Sequence, residues 1–211
     1  MTIHSVPGLQ PARRARTVVA TASKRDAILR AAIDVFAGRG YFNAQVADVA
    51  KAAGVAAGTV YLYFRSKDDL LVSIFEQTMR EGLDQGRAVA AAVKDPHERL
   101  LRLARLHLAR LGRDRNLAIV FQVELRQSTK FMERFSATLL RDYLTLIRTA
   151  IADGQAAGVF RADLNPTAAA KMIFGALDEM ATTWMLSRRR YTLEYEADAV
   201  VDLFVHGARP R

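Results

Sequence analysis

The stretch that most restricts the fold lies between Gln45 and Phe64, where Gly54–Val55–Ala56 separates two short segments of helical character. Val46, Val49, Ala50 and Ala53 fall on one side of the first segment, at the spacing of a single helix face. So short a connector forces a sharp bend, and glycine supplies the left-handed backbone angles a bend needs. Helices are therefore expected over Gln45–Ala53 and Ala57–Phe64. Ala47, Ala50 and Ala53 are small enough to let them approach closely, and Val55 plugs the angle between them. Two helices joined this way have helix-turn-helix geometry, in which the second helix enters the major groove of DNA.

The rest of the chain is punctuated for helices as well. Ser23 with Asp26 and Ser66 with Asp69 match the capping box, in which side chains satisfy the free N–H groups of a helix start. The first opens a helix carrying Ile28, Ala31, Ala32, Val35 and Phe36 on one face and stopping at Gly38–Gly40. The second opens a long helix through Leu70, Leu71, Ile74, Phe75 and Met79. Pro96 stands at a first helical position, where its missing N–H costs nothing, and that helix ends at Gly112. Further helices are expected over Asn116–Gln127, over Lys130–Ala157, from Asn165–Pro166, and over Leu193–Val205. No strand-like alternation persists beyond a few residues. The expected fold class is all-α with about nine helices.

Composition bounds the function. The formal net charge is +9, and residues 1–75 hold ten Lys/Arg against five Asp/Glu, while the remaining 136 residues hold 21 against 17. The basic excess is denser at the N-terminal end, as a polyanion-binding module needs, although a solvated basic surface gives the same numbers. There is no cysteine, which excludes disulfides and thiolate metal sites. No apolar run approaches the ~18 residues of a membrane span, and residues 1–22 lack the apolar core of a signal peptide. That segment is expected as a disordered basic tail, and the protein as cytoplasmic, without a membrane partner.

On a short second helix, Thr59 and Tyr61 lie well round from the core-facing Val60 and Phe64, where they can meet DNA. Gly58 leaves no side chain between backbone and phosphate. The Tyr63 hydroxyl can donate to a phosphate, and Lys67, in the first turn of the next helix, can clamp one. Ala57 and Gln45 complete the expected DNA-contacting set. Half-buried core rings with wet hydroxyls are the ordinary alternative for both tyrosines.

The segment "QVADVAKAAGVAAGTVYLYFRSKDDLL" closely resembles the helix-turn-helix of TetR-family transcriptional regulators. Val49, Ala50, Ala53, Gly54, Val55, Gly58, Tyr61, Tyr63, Phe64, Lys67 and Leu70 occupy the matching positions. Ala44 and Gln45 stand where the family often has threonines, and Ala56 replaces its usual serine. The resemblance implies a helix-turn-helix domain over 23–70 and a helical ligand-binding and dimerisation domain over 71–211. "NLAIVFQVELRQS" (116–128) and "MIFGALDEMATTWML" (172–186) are similar to the FadR-type repressors of fatty-acid degradation. That likeness implies release from DNA by long-chain acyl-coenzyme A, with no cofactor otherwise.

The residues are compatible with such an effector. From Pro96 to Leu111, Leu100, Ala104, His107, Leu108 and Leu111 share one face, beside a row containing Arg99, Arg102, Arg110 and Arg113. An apolar stripe beside arginines suits an acyl chain with a phosphorylated head group, and equally an ordinary amphipathic helix. Arg102, His107, Leu111, Phe121, Leu125, Tyr143 and Phe174 are the expected ligand contacts. Met172, Ile173, Ala176, Leu177, Met180 and Trp184 on one helix, and Ala197, Val200, Val201, Phe204 and Val205 on the last, are expected to form a homodimer through a four-helix bundle. A two-fold dimer reads a near-palindromic double-stranded operator. An inducer of another kind, a drug or other hydrophobic molecule, fits the same pattern. An acyl-thioester-processing enzyme does not: the four histidines (4, 97, 107 and 206) are scattered, and no nucleophile elbow, H-E-x-x-H or P-loop is present.

Overall fold

The computed structural model describes residues 12–127, 133 and 136–209. Its α-helices are α1 (Ala12–Arg39), α2 (Val46–Ala52), α3 (Ala57–Tyr61), α4 (Lys67–Ala92), α5 (Pro96–Gly112), α6 (Arg115–Gln122), α7 (Arg141–Ala156), α8 (Pro166–Leu186) and α9 (Glu196–Ala208). Tighter 3₁₀ turns follow α6 at Glu124–Gln127 and precede α9 at Leu193–Tyr195, and a wide π-helical turn, Ser136–Leu140, leads into α7. There is no strand among the described residues, so the all-helical expectation holds.

Side-chain caps set the starts of four of these nine helices, α4, α5, α6 and α8. Ser66 Oγ accepts from the Asp69 N–H at 3.1 Å, Asp95 from Glu98 at 2.7 Å, Asp114 from Leu117 at 3.1 Å, and Asn165 from Thr167 at 2.9 Å. Each bond satisfies a donor that the first helical turn cannot pair internally.

The helix expected over Lys130–Ala157 is continuously α-helical only from Arg141, with residues 128–132, 134 and 135 outside the described part, and the one expected over Leu193–Val205 is α-helical over Glu196–Ala208. Three further boundaries depart from expectation. First, α1 begins at Ala12 and runs straight through Ser23. The expected disordered tail over 1–22 is thus helical from Ala12; the stretch holds no proline or glycine to stop a helix. Residues 1–11 lie outside the described part. Second, α3 ends at Tyr61, because the chain must turn through Leu62 to bury Phe64 (1% exposed) beside Val60 (0%). Third, α6 stops at Gln122 instead of reaching Gln127. Val123 leaves the helix at φ −114° and ψ −64°, and the 3₁₀ turn that follows carries Glu124 into the protein.

Two apolar cores result. One gathers Ile28, Phe36, Val49, Val60, Phe64, Leu70 and Ile74 from α1–α4. The other gathers Leu100, Leu108, Ile147, Phe160, Ile173, Leu177 and Val201 from α5 and α7–α9. Packing there is tight: a Cβ on Gly154 would sit 2.2 Å from the Phe160 ring, so no side chain fits. Met79, Phe121 and Leu139 pack against both cores.

The expected dimer faces need correction. Ile173, Leu177, Trp184, Ala197, Val201 and Val205 are buried within their own protomer. The apolar side chains left outside on these helices are Met172 (71% exposed), Leu186 (71%) and Leu203 (76%). Both helices are apolar on more than one side, and periodicity alone does not say which side is covered.

Candidate DNA-reading surface and ligand cavity

The bend between α2 and α3 is built as the sequence requires. Gly54 adopts φ +66°, which lets the Val55 N–H reach the Ala50 carbonyl at 3.0 Å and close the end of α2. At the other end of α2 the Gln45 N–H donates to Asp48 at 3.0 Å, leaving the Gln45 residue exposed, and Arg39 pairs with Asp48 at 2.6 Å. On α3, Ala57, Gly58 and Tyr61 are exposed and Thr59 is partly so, while Val60 faces inward. Tyr63 is half-buried, with its ring 6.5 Å from that of Phe64. Two exposed residues were missed. Leu62 follows Thr59 by three positions, a helical spacing that would have placed it beside that residue. Phe42 lies in the loop before α2, where no periodic signal reaches.

Lys67 serves a different purpose from the one expected. Its ammonium donates to the carbonyls of Tyr41 at 2.8 Å, Phe42 at 3.1 Å and Ala44 at 2.9 Å, and sits 4.6 Å from the centre of the Tyr41 ring. An ammonium has three donors, and here all three hold the α1–α2 loop onto the start of α4. Phosphate binding by this group would cost one of those bonds. The Tyr41 hydroxyl donates to Asp68; burial, and then that carboxylate, push its pKa up and keep the donor protonated.

Between α4, α5, α6, α7 and α8 lies a mainly apolar cavity of about 60 Å³. It brings together five of the expected ligand contacts: His107, Leu111, Phe121, Tyr143 and Phe174. Arg102 is not among them. It is exposed and pairs with Glu98 at 2.7 Å, because five residues at about 100° each turn it away from His107. Arg110, three residues beyond His107, does line the cavity. The Leu125 side chain lies outside the described part. Gln122, Arg126 and Asp178 were missed, and only the fold unites them: Asp178 accepts from Gln122 at 3.0 Å and from Arg126 at 2.5 Å.

The cavity floor is an aromatic triangle. Ring centres are 5.4 Å apart for His107–Tyr143, 5.7 Å for His107–Phe174 and 6.0 Å for Tyr143–Phe174. Burial pushes His107 down to about 4, so its imidazole is neutral at neutral pH, and burial pushes the Tyr143 phenol up. His107 Nε2 and the Tyr143 hydroxyl are sealed from solvent and have no protein hydrogen-bond partner.

Cavity and reading head are joined by shared atoms. Met79 and Phe121 line the cavity and also pack on the α1–α4 core, with the Phe121 and Phe75 rings 5.0 Å apart. Glu124, just beyond α6, is 5% exposed and accepts the Tyr41 backbone N–H at 2.7 Å. The first turn of α6 is tied to α1 through Arg30–Asp114 and through Asn116, which donates to Asp34 at 2.8 Å.

Residues 28–74 match the family described as bacterial regulatory proteins, tetR family, and residues 75–207 match the C-terminal region of YsiA-like proteins. The fatty acid metabolism regulator protein of Bacillus subtilis is 36% identical over 180 residues, covering 85% of this chain and 93% of its own. Among solved structures, the fatty acid degradation regulator FadR from Bacillus halodurans superposes with a TM-score of 0.81 at 39% identity, covering 87% of this chain and 99% of that one. FadR from Bacillus subtilis, solved in complex with stearoyl-CoA, gives 0.81 at 35% identity, over 87% of this chain and 98% of that one.

Proposed function

The chain belongs to the TetR family of bacterial regulatory proteins, and from that premise we propose that it represses fatty-acid degradation genes and leaves its operator on binding long-chain acyl-coenzyme A. One observation carries the reading. The residues that wall the cavity, Met79 and Phe121, are also seated on the core that carries α2 and α3. The effector class comes from the stearoyl-CoA held by the Bacillus subtilis relative.

The cavity's size supplies the physics of release. About 60 Å³ is far below the roughly 300–1,000 Å³ of pockets that bury even a drug-sized ligand. A long acyl chain therefore enters only by moving walls, and two of those walls bear on the reading head. A ligand that fits only once these walls have moved binds the two conformations with different affinity, which is what allosteric release requires.

Gln45, Ala57, Gly58, Thr59, Tyr61 and Tyr63 form the DNA-contacting surface in this reading, with Lys67 holding the loop beneath it. Met172, Leu186 and Leu203 are covered by a second copy of the chain, so that two reading heads meet a near-palindromic operator in the cytoplasm. Among the described residues no helix is long and apolar enough to cross a membrane.

Gel-shift titration of a duplex selected from the protein's own genome for binding, with and without C12–C18 acyl-CoA, tests the whole reading. Loss of the shifted band at saturating acyl-CoA is expected; a band that persists rejects acyl-CoA induction, and release by a cationic drug alone assigns the inducer elsewhere. Glu124→Ala leaves the Tyr41 N–H without its acceptor, and is expected to weaken the coupling between ligand and operator by about 1–2 kcal/mol while acyl-CoA still binds.

A further inference from the structure

The polar atoms of the cavity wall divide into two kinds. Thr78 donates its hydroxyl to the Ile74 carbonyl at 2.8 Å, and Arg110 donates to the Thr78 carbonyl at 2.6 Å and to Gln85 at 3.2 Å. Gln122 and Arg126 share Asp178. Those groups are satisfied within the protein. His107 Nε2 and the Tyr143 hydroxyl are not, although Tyr143 is only 6% exposed and both side chains line the cavity. A buried donor without a partner costs about 1–3 kcal/mol, so two in one wall mark where a ligand's own polar atom belongs.

We propose that His107 Nε2–H and the Tyr143 hydroxyl converge on one carbonyl oxygen of the effector, the thioester carbonyl of an acyl-CoA. The inference rests on the acyl-CoA reading and deepens it by fixing where along the ligand the recognition occurs. The phenol donates, the neutral imidazole donates in the tautomer that carries its proton on Nε2, and a carbonyl oxygen has two lone pairs to receive them. A saturated acyl chain offers no other acceptor on its apolar side, so the thioester marks the boundary between tail and head group. The neutral imidazole suits this role because it carries one N–H to give and adds no charge to an apolar wall. Arg110 and Arg126 also line the wall, each already engaged within the protein.

The test compares stearoyl-CoA with S-octadecyl-CoA, a thioether of the same length that lacks only the carbonyl oxygen, by calorimetric titration of the full-length protein. The native protein is expected to bind the thioether at least about tenfold more weakly, since a site built to hydrogen-bond a ligand rejects the analogue lacking that group. Tyr143→Phe and His107→Leu, which preserve bulk, are expected to bind stearoyl-CoA more weakly and to lose the discrimination between the two ligands. Equal binding of both by the native protein overturns the carbonyl assignment and leaves the acyl-CoA reading standing. Failure of both to bind overturns the acyl-CoA reading itself. Should either variant be poorly folded, the native comparison alone decides.

Discussion

The reading head and the cavity solve opposite problems with the same materials. Around α1–α4 no buried side-chain polar atom among the described residues lacks a partner: Lys67 is spent on three carbonyls, Tyr41 on Asp68, and Glu124 on the Tyr41 amide. Around the cavity, two buried polar atoms, His107 Nε2 and the Tyr143 hydroxyl oxygen, have no partner within the protein. A surface that must keep one shape to fit DNA closes its hydrogen bonds internally. A pocket that must respond leaves them open for its ligand. The comparison locates rigidity and responsiveness in different cores, joined through Met79 and Phe121.

The contrast is broken most severely by emptying the reading head's core. Phe64→Ala removes a ring that is 1% exposed and is expected to destabilise the protein by about 3–5 kcal/mol. Thermal melting reads this directly; a loss below about 1 kcal/mol would mean that the region collapses to fill the gap.

Next comes the acid response of the cavity. An unfolded histidine titrates near 6.5, whereas burial holds His107 near 4, so between these values the unfolded chain binds more protons than the folded one. Stability is therefore untouched above about pH 6.5 and falls as pH drops toward 4, by at most about 1.4 kcal/mol per pH unit. Urea melts at pH 7 and pH 5 measure the slope, and His107→Leu is expected to flatten it. Parallel slopes for the two proteins would contradict the buried neutral imidazole.

Lys67→Met sharpens the comparison from the other side. Three carbonyls lose their donor, with an expected cost of roughly 1–3 kcal/mol and a marked loss of operator affinity, measured by fluorescence anisotropy. Acyl-CoA affinity should stay within about twofold, roughly 0.4 kcal/mol. If operator binding survives intact, the loop beneath α2 does not need this anchor.

The smallest effect is expected at Arg102, whose exposed pair with Glu98 contributes at most about 0.5 kcal/mol. Arg102→Ala should leave both ligands bound as before. Weakened acyl-CoA binding would return this arginine to the site.

What the sequence determined is local. Gly54 required its turn, Ser66, Asp95 and Asn165 required their helix starts, and the periodicities through Val49 and Val60 required inward faces, because each depends on residues within a few positions of one another. The tertiary structure alone decided which functional groups meet. Asp178 reaches Gln122 across 56 positions, and Glu124 reaches the Tyr41 amide across 83. It also settled which sides of α8 and α9 are buried and that Lys67 is consumed by its own loop. No short-range pattern encodes a contact between distant segments; such contacts exist only once packing has fixed where each helix lies and which way each side chain turns.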